Sequence, residues 1–266
     1  MDGTAPDMKE AVLLLSGGLD STTVAALLHS EGIAFIALAI DYGQRHSKEV
    51  KAAGRIASHY GAELITMKID FSKIGGSALT DPDIAVPAGG AEGIPVTYVP
   101  ARNSVFLSIA LGIAEARGCR SIYTGVNAVD YSGYPDCRPE FIDAFNRMAS
   151  LATKAGVEGR APVVVAPLIT KSKRDIVSIG RKLAAPYELS WSCYNGREKA
   201  CGVCDSCILR LKGFREAGFR DPLEYENQVL YRRCRVPLQG LFSARNCDRA
   251  TCCTSQSTAG NGPQQI

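Results

Sequence analysis

Two groups of residues in this sequence have types and spacings that could do chemistry. The first is Ser16-Gly17-Gly18-Leu19-Asp20-Ser21. Adjacent glycines let the backbone take positive φ and bring bare amides close to a ligand. With two hydroxyls and a carboxylate beside them, at the start of a helix, the chemistry implied is phosphate binding. The second group is Cys193 together with Cys201-Gly-Val-Cys204-Asp-Ser-Cys207. Two cysteines separated by two residues on a turn bring both sulfurs to one side. Four thiolates suit a tetrahedral zinc ion with no open position, so the expected site is structural. An iron–sulfur cluster is the competing reading. Ferredoxin-type spacing has a further Cys-Pro after three residues, and that position here is Leu211.

The elements that must position these groups can be read from the pattern. Ala11 to Leu15 is a short apolar run closed by glycines, the mark of a buried parallel strand. Asp20 and Ser21 are good N-cap residues for a helix over Thr22 to Ser30. Further strands are expected at Ile33–Ile40, Ala62–Met67, Ser121–Thr124 and Val163–Val165, with helices at Ser47–Tyr60, Asn103–Gly118, Glu140–Ala155, from Thr170 on and at Asp205–Ala217. Ser172 and Asp175 fit a capping box. Such alternation predicts an α/β fold, a doubly wound parallel five-stranded sheet, followed by a C-terminal zinc-binding helical segment. Ligands in such sheets bind beyond the carboxyl ends of the strands, so the segments 16–21, 41–46, 125–139 and 168–174 are the candidate site. Residues 68–100, rich in Gly and Pro, are expected to be a lid or a surface excursion.

The bulk properties set bounds. The 266 residues allow one large domain with an appendage, and the expected division is 1–185, 186–225 and a disordered tail over 226–266. No signal peptide pattern opens the chain, and the longest apolar run, Ile33 to Ile40, is too short for a membrane span. A cytoplasmic protein is expected, in which ten cysteines point to metal rather than disulfides. The net charge of +3 sits in the tail; residues 1–225 hold 25 basic and 25 acidic groups. That balance argues against nucleic acid as a partner. Cys234, Cys247, Cys252 and Cys253 show no metal spacing, and Cys119 reads as a core residue.

Ser16 to Ser21 resembles the pyrophosphate loop of the ATP pyrophosphatase superfamily, whose members cut ATP between the α and β phosphates. More specifically, five segments together resemble the 7-cyano-7-deazaguanine synthase family of queuosine precursor biosynthesis. They are Leu15–Ser21, Asp41-Tyr-Gly-Gln-Arg-His46, Tyr98-Val-Pro-Ala-Arg-Asn103, Tyr123 to Arg138, and the cysteines from Cys193 to Cys207. The resemblance covers roughly residues 10–225, and the tail departs from it. It implies an adenine nucleotide alpha-hydrolase-like fold and an ATP-dependent ligase. That enzyme converts 7-carboxy-7-deazaguanine and ammonia to the nitrile through an adenylated acid and an amide, with ATP and Mg²⁺ as cosubstrate and one structural Zn²⁺. A tRNA-thiolating enzyme of the same superfamily, an amidotransferase, and a zinc module that binds nucleic acid or protein are the alternatives. No membrane partner is expected, and a homodimer is compatible with the sequence.

The resemblance assigns phosphate binding to Leu15, Ser16, Gly17, Gly18, Leu19, Asp20, Ser21, Thr22, Thr23, Val24 and Ala25, and metal binding to Cys193, Cys201, Cys204 and Cys207. Asp20 is expected to position Mg²⁺ or to cap the helix. Lys171 and Arg174 are expected to neutralise phosphate charge, Arg45 or Arg102 to hold the substrate carboxylate, and His46 to transfer a proton or serve as a loop hydrogen bond. Asp130 or Asp136 is expected to receive the purine-like edge, with Tyr131 or Tyr134 stacked on the ring. Trp191 is expected under the zinc site.

Overall fold

The computed structural model describes residues 10–87, 93–129 and 134–226. Asp130 and Tyr131 and the four tail cysteines lie outside them. Five strands are present, β1 (Ala11–Leu14), β2 (Phe35–Asp41), β3 (Glu63–Lys68), β4 (Ser121–Tyr123) and β5 (Val163–Val165). They form one all-parallel sheet in the order β3-β2-β1-β4-β5. The helices are α1 (Leu19–Ser30), α2 (Lys48–His59), α3 (Arg102–Arg117), α4 (Pro139–Ala152), α5 (Lys154–Val157), α6 (Lys173–Lys182) and α7 (Asp205–Glu216).

Strand alternation splits the core in two. Leu13, Leu15, Phe35 and Ala37 face a layer built by α1, α2, α6 and α7; Val12, Ile36, Leu38 and Ile122 face α3 and α4. This is the doubly wound architecture that the alternating pattern predicts. Leu13, Leu15, Leu28, Ile36 and Leu38 are almost completely buried, each contributing about 1.5–3 kcal/mol by leaving water. The central strand that carries the glycine loop is therefore firmly anchored.

Three boundaries differ from the sequence pattern, each for a local reason. α1 begins at Leu19, not Thr22, with Gly18 as N-cap and no side-chain cap. Asp20 and Ser21 therefore lie inside the first turn and are not N-caps. The long helix expected over Glu140–Ala155 breaks at Thr153, whose backbone is extended. The Thr153 hydroxyl donates to the Ala149 carbonyl at 2.9 Å and accepts from the Gly156 amide at 2.9 Å, ending one helix and capping the next. α6 starts at Lys173 behind the expected capping box, in which the Asp175 amide donates to Ser172 Oγ at 3.2 Å.

The described part of 68–100 is packed rather than loose. Phe71, Leu79 and Val99 enter the core on the α3 side. Arg45 ties the segment down, donating from Nε to the Ala78 carbonyl at 2.7 Å and from Nη2 to those of Asp81, at 3.0 Å, and Ile84. Among the described residues no helix is long and apolar enough to cross a membrane.

Candidate active site

β1 has β2 on one side and β4 on the other. The chain leaves it in opposite directions, so a crevice opens at its carboxyl end. A cavity of about 240 Å³ lies there. The loop after β1 supplies Ser16, Gly18, Asp20 and Ser21; the segment after β2 supplies Tyr42 and Glu49; the segment after β4 supplies Asn127 and Cys137. Arg102 and Asn103 enter from the start of α3, and Lys173 from the start of α6.

The loop owes its shape to its glycines. Gly17 sits at φ +83°, and a Cβ there would lie 2.3 Å from the Glu49 carbonyl oxygen. A Cβ on Gly125, after β4, would lie 2.9 Å from the Ser21 nitrogen. Both glycines let neighbouring backbone close on the loop. The result is a first helical turn whose Leu19, Asp20 and Ser21 amides donate to no acceptor among the described residues, which is the anion-binding end of a helix. The hydroxyls of Ser16 and Ser21 lie 3.0 Å apart beside it.

The carboxylate of Asp20 accepts from Lys173 Nζ through both oxygens, at 2.9 and 2.8 Å. Lys173 is only 6% exposed. The cation at the loop is therefore Lys173; Lys171 and Arg174, the expected ones, are exposed and do not line the cavity. Helical geometry is the reason: Lys173 is the first residue of α6, and its stem lies against α7, where a Cβ on Gly213 would sit 2.6 Å from Lys173 Cγ.

Of the segment Leu15 to Ala25, Leu15, Ser16, Gly18, Leu19, Asp20 and Ser21 line the cavity. Gly17 faces α2 instead. Thr22 Oγ1 donates to the Gly18 carbonyl at 2.7 Å, and Thr23 Oγ1 to that of Leu19 at 3.0 Å, while Val24 and Ala25 are core. These four serve the helix rather than the cavity.

Arg102 reaches the cavity from the first position of α3, next to its N-cap Ala101, which adopts a left-handed φ of 53°. Its guanidinium carbon stands 5.9 Å from the centre of the Tyr42 ring. Arg45, by contrast, is used on loop carbonyls. Asp136 does not line the cavity: its Oδ2 accepts the Asn103 amide at 3.0 Å. Tyr134 does line it, and its hydroxyl lies 2.9 Å from Thr97 Oγ1. His46 lies outside it, with Nε2 at 2.9 Å from the Cys193 carbonyl and its ring packed against Gly196. Burial draws its pKa below the usual histidine range.

Glu49, in the first turn of α2, escaped sequence reasoning. Its carboxylate lines the cavity and makes no hydrogen bond or ion pair among the described residues. Burial pushes its pKa up to about 7 against the pull of Arg102, with the Cys193 sulfur adding to the rise. Nothing in the sequence distinguishes Glu49 from an ordinary solvated helix acid.

The sulfurs of Cys193, Cys201, Cys204 and Cys207 all lie within 4.8 Å of one another and are buried. Four sulfurs about 2.3 Å from one zinc ion would stand about 3.8 Å apart, so the group fits a single ion. The donor set agrees. Backbone amides of Asn195 and Cys201 point at the Cys193 sulfur at 3.4 and 3.3 Å, and those of Val203 and Cys204 at the Cys201 sulfur, both at 3.4 Å, as suits thiolate ligands. Trp191 packs against the cluster as expected, and its amide donates to the Gly17 carbonyl at 2.8 Å.

The model of the family described as queuosine biosynthesis protein QueC matches residues 10–218. The 7-cyano-7-deazaguanine synthase of Pseudomonas savastanoi pv. phaseolicola is 58% identical over 220 residues, covering 82% of this chain and 96% of that protein. That of Azotobacter vinelandii is also 58% identical over 220 residues, covering 82% and 98%. A solved NMN synthetase from Francisella tularensis aligns with a TM-score of 0.43 at 14% identity, covering 89% of this chain and 91% of that one. With its glycine loop, its cavity and its four-cysteine group inside the matched residues, the chain belongs to the queuosine biosynthesis protein QueC family.

Proposed function

We propose that this chain is an ATP-dependent ligase that converts 7-carboxy-7-deazaguanine and ammonia into 7-cyano-7-deazaguanine. The relatives bearing that name are 58% identical over most of the chain. The observation that carries the reading is the first turn of α1, open into a cavity beside the Asp20–Lys173 pair. Unpaired amides and a buried ammonium are what a departing pyrophosphate requires.

The acid oxygen attacks the α phosphorus of ATP, pyrophosphate leaves, and the acid becomes an adenylate. Ammonia then attacks the carbonyl carbon and AMP leaves with the first oxygen, giving the amide. A second ATP takes the amide oxygen in the same way, and loss of AMP and the nitrogen-bound protons gives the nitrile. Both oxygens of the acid thus depart on AMP, and two ATP are used per product. Mg²⁺ accompanies ATP; Asp20 is the carboxylate at that end, and its Lys173 contacts leave a second lone pair on each oxygen for the metal. Arg102 is the cation for the acid substrate. Glu49 is the proton acceptor for ammonium, in the role that the sequence suggested for His46.

One zinc ion on Cys193, Cys201, Cys204 and Cys207 would hold the segment that carries Trp191 against the loop; a four-iron cluster spreads its thiolates over separate irons. Six buried cysteines outside any disulfide support a reducing, cytoplasmic compartment. The balanced charge of residues 1–225 supports a small-molecule substrate over nucleic acid.

Mass spectrometry of the reaction with ATP, Mg²⁺, ammonium and the acid tests the reading. The expected products are nitrile, AMP and pyrophosphate. Recovery of the acid unchanged, with no AMP formed, defeats it.

A further inference from the structure

We infer that Ser192, in the segment leading into the cysteine cluster, is a phosphate-binding residue of the nucleotide cavity, and that buried Arg210 positions it. The inference rests on the reading of the cavity as an ATP site and extends that site to a second wall.

Two serines in this segment share one partner. Arg210 Nη1 donates to Ser190 Oγ at 2.8 Å and to Ser192 Oγ at 3.2 Å. Ser190 passes its own proton to the Tyr187 carbonyl at 2.7 Å. Ser192 has no such acceptor among the described residues, although it is only 9% exposed. A buried hydroxyl that accepts from a guanidinium and donates to nothing is an unmet donor. Ser192 lines the cavity and Ser190 does not.

The place of that hydroxyl oxygen is fixed. A Cβ built on Gly18 would lie 4.0 Å from Ser192 Oγ, so the hydroxyl faces the glycine loop. The hydrogen bond from the Trp191 N–H to the Gly17 carbonyl clips the segment to the same loop. Arg210 also lines the cavity, but it is 2% exposed and cannot swing. Its Nε and Nη2 donate to Asp221 at 2.7 and 3.0 Å, and Asp221 in turn accepts from the Tyr225 hydroxyl at 2.6 Å. The hydroxyl thus stands beside the glycine loop with its proton free to go to an oxygen bound in the cavity. A phosphate of the nucleotide is the oxyanion that fits both walls.

Steady-state kinetics with ATP and the acid decide the matter. Ser192→Ala is expected to raise KM for ATP about tenfold or more, the loss of one charge-assisted hydrogen bond. KM for the acid and metal content stay as in the parent. Ser190→Ala is expected to leave KM for ATP unchanged. Arg210→Lys is expected to raise KM for ATP in the parent but to add little in the Ser192→Ala background, whereas a purely structural Arg210 gives independent effects. A parental KM for ATP in Ser192→Ala, or equal effects of the two serine changes, overturns the assignment of Ser192 alone. An unsubstituted chain that binds no ATP overturns the nucleotide site and this inference together.

Discussion

The mouth of β1 and the Arg210 block adjoin in the fold, joined by the Trp191 N–H to Gly17 carbonyl hydrogen bond, and treat polar groups in opposite ways. At the mouth, the Leu19, Asp20 and Ser21 amides and the Glu49 carboxylate are left without partners among the described residues. At Arg210 every guanidinium N–H is used. Its guanidinium donates to Asp221, Ser190, Ser192 and the Tyr187 carbonyl, and Asp221 also accepts from Tyr225 and from the Leu223 amide at 3.0 Å. An unmet buried group costs about 1–3 kcal/mol. The molecule therefore concentrates its satisfied network behind the loop and keeps unmet groups where a ligand can meet them.

The sharpest way to break this contrast is at the satisfied end. Asp221→Ala leaves the Arg210 charge buried and unpaired, and should cost about 3–5 kcal/mol of stability. Urea unfolding with and without nucleotide measures it; a loss under about 1 kcal/mol means the block is not the support described. At the open end, Lys173→Met should cost activity more than stability. Asp20, its partner, keeps a side-chain exposure of 23% and can be hydrated. Pyrophosphate release should slow about 100-fold or more, in line with removing one preorganised group from a developing charge. A slowing under tenfold would remove Lys173 from the site.

The same contrast explains what the sequence disclosed. The strand, the glycine loop and the four cysteines were legible because each is a local pattern: an apolar run, two glycines, a two-residue spacing. The Ser172–Asp175 capping box was legible for the same reason. Choosing Lys173 over Lys171 and Arg174 was not. That choice depends on Gly213, forty residues away in α7, giving room to one lysine stem. Glu49 and Arg210 read as ordinary helix charges until α2 and α7 are folded against the loop. His46 sits in a motif segment, yet packing against Gly196 turns it to the Cys193 carbonyl. Burial of single polar groups is a long-range property, and periodicity carries no record of it.

Glu49 sharpens the comparison through pH. Its folded pKa, pushed up to about 7, lies above the unfolded value of 4.5. The folded state binds the proton more tightly, so Glu49 costs stability increasingly as pH rises from about 4.5 to 7, and the cost levels off above that. Glu49→Gln should stabilise the chain by about 1–3 kcal/mol at pH 8 and by almost nothing at pH 4. If the ionised carboxylate takes the proton from ammonium, amide formation between pH 6 and pH 8 should run ahead of the free-ammonia concentration in the parent and be slow and merely follow free ammonia in the variant. Equal stabilisation at both pH values, or an unchanged rate profile, sinks this role.

The smallest effect compares two strained alanines. Ala101 has φ 53° at the entry to Arg102, and Ala184 has φ 52° after α6, remote from the cavity. Left-handed backbone costs an alanine about 1 kcal/mol. Glycine relieves it but adds freedom to the unfolded chain, about 0.4–1 kcal/mol in the opposite direction. Both Ala101→Gly and Ala184→Gly should therefore change stability by less than about 1 kcal/mol. Their kinetics should separate. Glycine at 101 loosens the pivot that aims Arg102, so KM for the acid should rise a few-fold, while Ala184→Gly should leave it alone. Matching kinetics in the two variants would mean that the strain at Ala101 is a turn requirement with no bearing on the cavity.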